Sequence, residues 1–390
     1  MNAAPASVVQ SAGGGTAALL GGLPVAAFLA RFWHKEALLV RNAMPGFCGL
    51  FDAKQLFALA ARDGVESRLV AREGTRWTLA YGPFRRRDFK ALPARNWTLL
   101  VQGVNLHSDP ADALLRRFSF LPYARLDDLM VSYAAPGGGV GPHVDSYDVF
   151  LLQGFGRRRW KYGRQDNLAL KPGLPLKILK HFAPQENHML EPGDMLYLPP
   201  HHAHNGVAME ACTTYSIGFR AASSNDLAVA FVDFLRDELD LPGRYADPDL
   251  APTRTPAKIG AAMQRRCAQA LAAIRWNPST VARFLGCWLS EPKPTVYFDP
   301  PAKPLALAAF ANRIAKHGVR LNVRTQLLYD AHHLFVNGIA LPWPAQGAAG
   351  LRRLADARTL APREAAMLPA AVAAVLHDWY RDGFLLADNT

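Results

Sequence analysis

Short apolar runs separated by glycine- and proline-rich turns dominate residues 66 to 235 of the chain. Trp97–Val104, Asp128–Tyr133, Tyr147–Gln153, Arg159–Tyr162, Met195–Leu198 and Thr213–Phe219 each have strand length. Between them lie Pro136–Gly139, Gly154–Gly156, Lys171–Gly173 and Glu191–Asp194. Many short strands with such punctuation predict a sandwich or barrel. Residues 1–23, rich in Ala, Gly and Ser, read as an unstructured tail. A short helix starts near Pro24, because proline is favoured at a helix start, and a strand-length run follows at Glu36–Arg41. Residues 50–65 read as a helix capped by Asp52. The β-type pattern fades after about residue 222. Residues 225–240 and 257–290 are spaced as helices, joined by a proline-rich linker over 241–256. A second linker carries Pro292, Pro294, Pro300, Pro301 and Pro304. Beyond it, Arg320–Tyr329 and His333–Val336 resemble strands, Asn337–Gly338 is a hairpin turn signal, and 351–360 and 363–385 read as helices.

The 390 residues suffice for two or three domains, and a 50% hydrophobic, 19% charged composition excludes a disordered or collagen-like chain. Four widely spaced cysteines exclude a disulfide scaffold or zinc ribbon and fit a reducing, cytoplasmic setting. The apolar stretch Ala17–Ala30, broken by Gly21, Gly22 and Pro24, falls short of the roughly 20 residues a membrane span needs. The excess of 44 Lys+Arg over 32 Asp+Glu gives +12, a balance suited to work near nucleic acid.

The informative stretch is Gly141-Pro-His143-Val-Asp145-Ser-Tyr147. Residues two apart on a strand share a face, so His143 and Asp145 project an imidazole and a carboxylate to one side. These are two-thirds of a facial triad for non-haem Fe(II). A third ligand must come from another strand, and Pro199-Pro-His201-His202-Ala-His204 offers three histidines. His204 is favoured because a new strand can begin at Gly206–Val207, whereas His201 and His202 directly follow two prolines and read as solvated loop residues. A lone His-x-Asp is weak evidence, and a histidine near a strand end is more often hydrogen-bonded structure; the combination with the two turns carries the signal. Such a triad leaves positions for O₂ and a bidentate cosubstrate such as 2-oxoglutarate, whose far carboxylate calls for a buried cation. Arg157-Arg158-Arg159 follows Gly154–Gly156, and strand alternation turns Arg158 opposite to its neighbours. A solvated basic edge accounts for the same three residues.

Residues 137–163 (GGGVGPHVDSYDVFLLQGFGRRRWKYG), 190–208 (LEPGDMLYLPPHHAHNGVA) and 214–221 (TYSIGFRA) closely resemble the bacterial ribosomal oxygenases, JmjC-type members of the cupin-fold 2-oxoglutarate oxygenases. Ser67–Val70, Asn96–Asn105 and Leu126–Tyr133 extend the likeness. The resemblance implies a mainly β double-stranded β-helix over residues 24–224 holding Fe(II) by His143, Asp145 and His204. It implies Arg158 as the anchor of 2-oxoglutarate, with Ser132 in the same pocket, and Asp128, Tyr147 and Ser216 as residues receiving the target. That target is an arginine of large-subunit ribosomal protein sixteen, hydroxylated at its β-carbon. A helical dimerisation segment over 225–299 and a winged-helix-like domain over 300–390 are implied as well. A buried guanidinium needs an acidic partner, the role expected of Asp128, with Asp127 facing away into solvent. The arginine clusters at 85–87, 157–159, 265–266 and 352–353 read as solvated surface or as contacts to rRNA. Competing readings are a non-enzymatic nucleic-acid reader, a cupin isomerase or sugar binder using another metal, and the same oxygenase chemistry on a ribosomal histidine or methyl-lysine.

Overall fold

The computed structural model describes residues 7–10 and 16–387. Two compact units emerge. The larger takes the chain up to Ala221 together with Lys293–Thr325 and residues from Ala357 onward. The smaller takes Ala222–Pro292 and Gln326–Asp356.

The double sheet of the larger unit is built on twelve strands: β1 (Ser7–Gln10), β2 (Leu38–Arg41), β3 (Ser67–Glu73), β4 (Arg76–Tyr81), β5 (Trp97–Val101), β6 (Leu126–Ala134), β7 (Val149–Gln153), β8 (Arg158–Arg164), β9 (Glu186–Leu190), β10 (Met195–Leu198), β11 (His202–Ala208) and β12 (Cys212–Phe219). They form a nine-stranded sheet, β1-β2-β10-β7-β12-β6-β5-β3-β4, and a three-stranded sheet, β11-β8-β9. Every pairing is antiparallel except β1 with β2. This is the rolled double sheet that the turn-punctuated pattern predicts.

The two sheets read differently in sequence because they are buried differently. The centre of the large sheet is covered on both faces, so β5, β7 and β10 are buried at every position, whereas the edge strand β4 is largely exposed. One face packs under the N-terminal helices, with Phe28, Leu56, Leu115, Phe118, Phe150 and Ile217 in one core. The other face meets the small sheet, where Leu39, Leu151, Leu196, Trp160, Tyr162 and Leu190 cluster. Each such side chain withdrawn from water contributes about 1.5–3 kcal/mol. The small sheet alternates: on β8, Arg158, Trp160 and Tyr162 are buried while Arg159 and Lys161 are exposed.

Local signals hold where they have a mechanism. Asp52 caps helix Ala53–Ala60, its Oδ1 accepting from the Gln55 amide at 2.7 Å, and Gln55 returns the bond to the Asp52 amide at 2.9 Å. Asn337 and Gly338 both take positive φ in the hairpin joining His333–Val336 to Ile339–Pro342. Several expectations need correction: the strand expected over Arg320–Tyr329 divides into Val319–Leu321 and Leu327–Tyr329, and the helix expected over 351–360 ends at Ala357, with Thr359–Leu360 in a strand. Within the supposed tail, Ser7–Gln10 pairs with β2 and Thr16–Leu19 is helical, because the open edge of β2 offers backbone partners that composition does not reveal; residues 1–6 and 11–15 of that tail lie outside the described residues. Residues 257–290 form two helices, Ala261–Leu271 and Pro278–Ser290, because Asn277 caps a new helix with Pro278 at its first position. Residues 363–385 likewise divide into Pro362–Ala366 and Ala370–Arg381, split at Pro369.

In the smaller unit, helix Pro278–Ser290 packs against the hairpin. Gly286 carries no side chain where the Phe335 ring sits, 2.1 Å from the place a Cβ would occupy.

Candidate active site

The Gly137–Gly139 turn brings the chain against β11 so closely that a Cβ on Gly139 would lie 2.4 Å from the Gly206 carbonyl. The chain then runs as irregular backbone from residue 141 to 148, where the sequence suggests a strand. What orients His143 is instead an isolated antiparallel bridge to His204. Each amide donates to the other's carbonyl, at 3.0 and 2.9 Å. The bridge sets the two imidazoles 4.2 Å apart between ring centres. Asp145 completes the group, one oxygen 4.0 Å from His143 Nε2 and the other 3.6 Å from His204 Nε2. His143 Nδ1 faces the Gly141 carbonyl and His204 Nδ1 the His202 carbonyl, both at 2.9 Å. A carbonyl only accepts, so each Nδ1 carries the proton and each Nε2 lone pair is left for a metal. Burial, and then the neighbouring His143, push the pKa of His204 down to about 4, keeping it neutral. Two neutral imidazoles and one carboxylate, with ligand atoms all within 4.8 Å, are the donor set of a facial triad.

His201 and His202 remain outside this group. His201 is exposed with φ of 65°, and its amide donates to the Asp145 carbonyl. His202 opens β11, is half-buried rather than solvated, and supplies the carbonyl that fixes the His204 ring.

A cavity of about 480 Å³ leads from the triad along the inner faces of β6, β8 and β12. Strand alternation delivers Arg158 into it, 4% exposed. Its guanidinium donates to Ser132 Oγ at 3.0 Å, Thr214 Oγ1 at 3.2 Å and the Gly206 carbonyl at 3.3 Å, and lies over Trp160. Among the described residues no carboxylate neutralises it, and burial pulls its pKa down. Arg158 Nε and Trp160 Nε1 are buried donors without partners. A desolvated cation beside idle donors is an incomplete arrangement that an anionic group would complete. Thr214 and Gly206 are contributors that the sequence reading missed. Thr214 is one of several hydroxyls on β12, with nothing local to single it out, and Gly206 is needed because a Cβ there would meet the Trp160 ring at 2.7 Å.

The same cavity is lined by Asp128, 3% exposed. It shares one face of β6 with Met130 and Ser132. Gln102 Nε2 donates to both its oxygens, at 3.1 and 2.8 Å, and Lys293 Nζ approaches Oδ2 at 3.0 Å. Asp127 does not simply point into solvent: it also lines the cavity, 3.2 Å from Lys293 Nζ and 3.9 Å from Arg220. Tyr147 and Ser216 line the same space. Burial, then Asp145 and Asp128, raise the Tyr147 phenol above its usual range, so it stays protonated and able to donate. Gln102, Lys293 and Arg68 were not anticipated; Lys293 lies 165 residues from Asp128 in the proline-rich linker, where no local signal marks it.

A double-stranded β-helix carrying a His-Asp-His triad beside a buried arginine defines a JmjC-type oxygenase. The JmjC domain family model matches residues 113–227, and the ROXA-like winged helix model matches residues 273–386. The chain is 37% identical over 281 residues to the ribosomal protein uL16 3-hydroxylase of Escherichia coli, covering 71% of this chain and 74% of that protein. A probable ribosomal oxygenase of Haemophilus influenzae is 37% identical over 204 residues, 51% of this chain and 50% of that one. The structure of YcfD, a ribosomal oxygenase from Escherichia coli, in complex with cobalt and 2-oxoglutarate superposes with a TM-score of 0.78 at 31% identity, over 93% of this chain and 98% of that one. The chain belongs to the ribosomal oxygenase family. Its barrel is therefore no inert scaffold for a nucleic-acid reader. Among the described residues, no helix is long and apolar enough to cross a membrane.

Proposed function

We propose that this protein is an Fe(II)- and 2-oxoglutarate-dependent hydroxylase of an arginine β-carbon in large-subunit ribosomal protein uL16. The observation that carries the reading is one cavity lined by a metal-type triad, a buried arginine lacking a counterion and a buried aspartate. When bound, iron and 2-oxoglutarate would supply oxidative decarboxylation to succinate and CO₂, coupled to insertion of one oxygen atom of O₂ into a C–H bond.

The chain's own residues supply position. His143, Asp145 and His204 hold the metal, with the Gly141 and His202 carbonyls fixing the imidazole tautomers. Arg158, steadied by Ser132 and Thr214, pairs its fork with the distal carboxylate of the cosubstrate. Asp128 receives the target guanidinium, and Tyr147 and Ser216 flank it. Two carboxylates at the receiving end favour a cationic side chain over a neutral imidazole, which supports arginine against histidine. Positioning is decisive because such chemistry attacks whatever C–H bond is held nearest.

In this reading residues 24–224 are the catalytic domain, 225–299 a dimerisation segment and 300–390 a winged-helix-like domain, in a cytoplasmic homodimer. Val229, Val232, Met263, Leu271 and Trp276 are exposed on the helical segment, an apolar surface that a second copy would cover. The exposed Arg85–Arg87 cluster offers a contact for rRNA. The test is mass spectrometry of uL16 from cells with and without this gene. An arginine should lose one added oxygen atom on deletion, and identical spectra would remove the substrate assignment.

A further inference from the structure

Resting on the reading of Asp128 as the arginine-receiving carboxylate, we infer that Lys293 is a resident competitor for that carboxylate, which an incoming substrate cation must displace. Lys293 Nζ stands 3.0 Å from Asp128 Oδ2 and 3.2 Å from Asp127 Oδ1, bridging two acids that both line the cavity. A primary ammonium is thus seated where the substrate's guanidinium would sit. Burial works against its charge, but Asp128 and Asp127 outweigh burial and hold the amine above the usual lysine range.

The local sequence suits a detachable occupant. Lys293 is flanked by Pro292 and Pro294. Proline fixes its own φ and restricts the residue before it to extended backbone. The lysine Cα is therefore held in place and release needs only rotation of the four-carbon stem. The side chain is 36% exposed, so solvent can take up the amine without any element unfolding. Asp128 is buried and retains both Gln102 contacts after the lysine leaves, so the carboxylate stays aimed.

The two cations are unequal partners for it. An ammonium engages a carboxylate as a point charge, whereas a guanidinium presents a planar fork that matches both oxygens. Arginine can therefore evict lysine. The resident amine neutralises the acid pair while the site is empty, and every cationic entrant must bind more strongly than the lysine does. Lys293 then sets the threshold of affinity for the substrate.

The test uses the full-length protein loaded with Fe(II) and 2-oxoglutarate, with a uL16 fragment spanning the target arginine. Lys293→Met should lower KM for the fragment by about two- to fivefold, in line with a partly exposed ion pair, and raise kcat/KM by the same factor. Lys293→Arg, which holds the acids with a fork of its own, should raise KM. A second measurement needs no turnover: calorimetric binding of N-acetylarginine amide should tighten in Lys293→Met and weaken in Lys293→Arg. An unchanged or weaker affinity in Lys293→Met, for fragment and amide alike, would show that Lys293 supports Asp128 rather than competes for it and would overturn the inference. If the wild type binds the amide as described but leaves the fragment unmodified, the substrate assignment fails while the competition stands.

Discussion

Replacing Arg158 by Met separates a cosubstrate anchor from a structural arginine. The side chain is buried, its guanidinium bonds among the described residues to two hydroxyls and one carbonyl, and Nε is idle. A cation desolvated without an acid is a burden on the folded state, so an apolar residue of similar length should leave stability level or raise it. Binding behaves in the opposite way. Two charge-assisted hydrogen bonds to a carboxylate contribute about 1.5–3 kcal/mol each, so their joint loss should weaken 2-oxoglutarate by roughly 10²- to 10⁴-fold. Succinate formation against 2-oxoglutarate concentration reads the KM, quenching of Trp160 fluorescence reads binding directly, and calorimetry reads Tm. Arg158→Lys keeps the charge without the fork and should fall between wild type and Met. A Met variant with normal 2-oxoglutarate affinity, or one that loses several kcal/mol of stability with no change in affinity, would refute the reasoning.

Other outcomes follow from the same geometry. Asp145→Ala removes the one anionic ligand, so Co(II) titration should show affinity lost beyond the roughly 10- to 100-fold that the loss of an outer partner costs, and 2-oxoglutarate turnover should cease. Gly206→Ala places a Cβ 2.7 Å from the Trp160 ring and 2.8 Å from Arg158 Nε, so Tm should fall, with about 1–3 kcal/mol of overpacking, and KM for 2-oxoglutarate should rise together. His107 is pushed down to about 4 by burial, then by Arg62 and Arg324. Its folded pKa lies below the unfolded value of 6.5, so the unfolded chain binds the extra proton and stability declines as pH falls from about 6.5 to 4. His107→Gln should flatten that part of the Tm-against-pH curve, and parallel curves would remove the assignment.

The chemistry of the site was legible wherever residue type and spacing impose a geometry. His143 and Asp145 stood out by their types, their two-residue interval and the turns around them; alternation along β8 singled out Arg158 from its neighbours, as the burial of Arg158, Trp160 and Tyr162 reproduces, while its role as an anchor came from the family resemblance. The route was wrong in one respect: the His-x-Asp segment is not a strand, and the bridge to His204 orients it. Partners supplied by distant backbone were not legible. The pairing of β1 with β2 and the seat of Lys293 depend on tertiary neighbours that no local pattern encodes. The helix breaks at Pro278 and Pro369 do carry a local signal, because proline lacks the amide that a helix interior needs and outweighs the apolar spacing around it.

A net charge of +12 opposes, at long range, a substrate whose recognised group is itself cationic. Two length scales resolve this. Exposed arginines such as Arg85–Arg87 act on a partner through solvent, where salt screens them beyond about 8 Å. Asp128 acts at contact, 3% exposed and within hydrogen-bonding reach of Gln102 and Lys293, where the dielectric is low and screening is weak. The cation that matters for affinity is therefore not the diffuse surplus on the surface but the single amine already seated on the acid pair. A substrate guanidinium is selected there by bidentate geometry against a point charge, a contest that the overall charge of the chain does not enter.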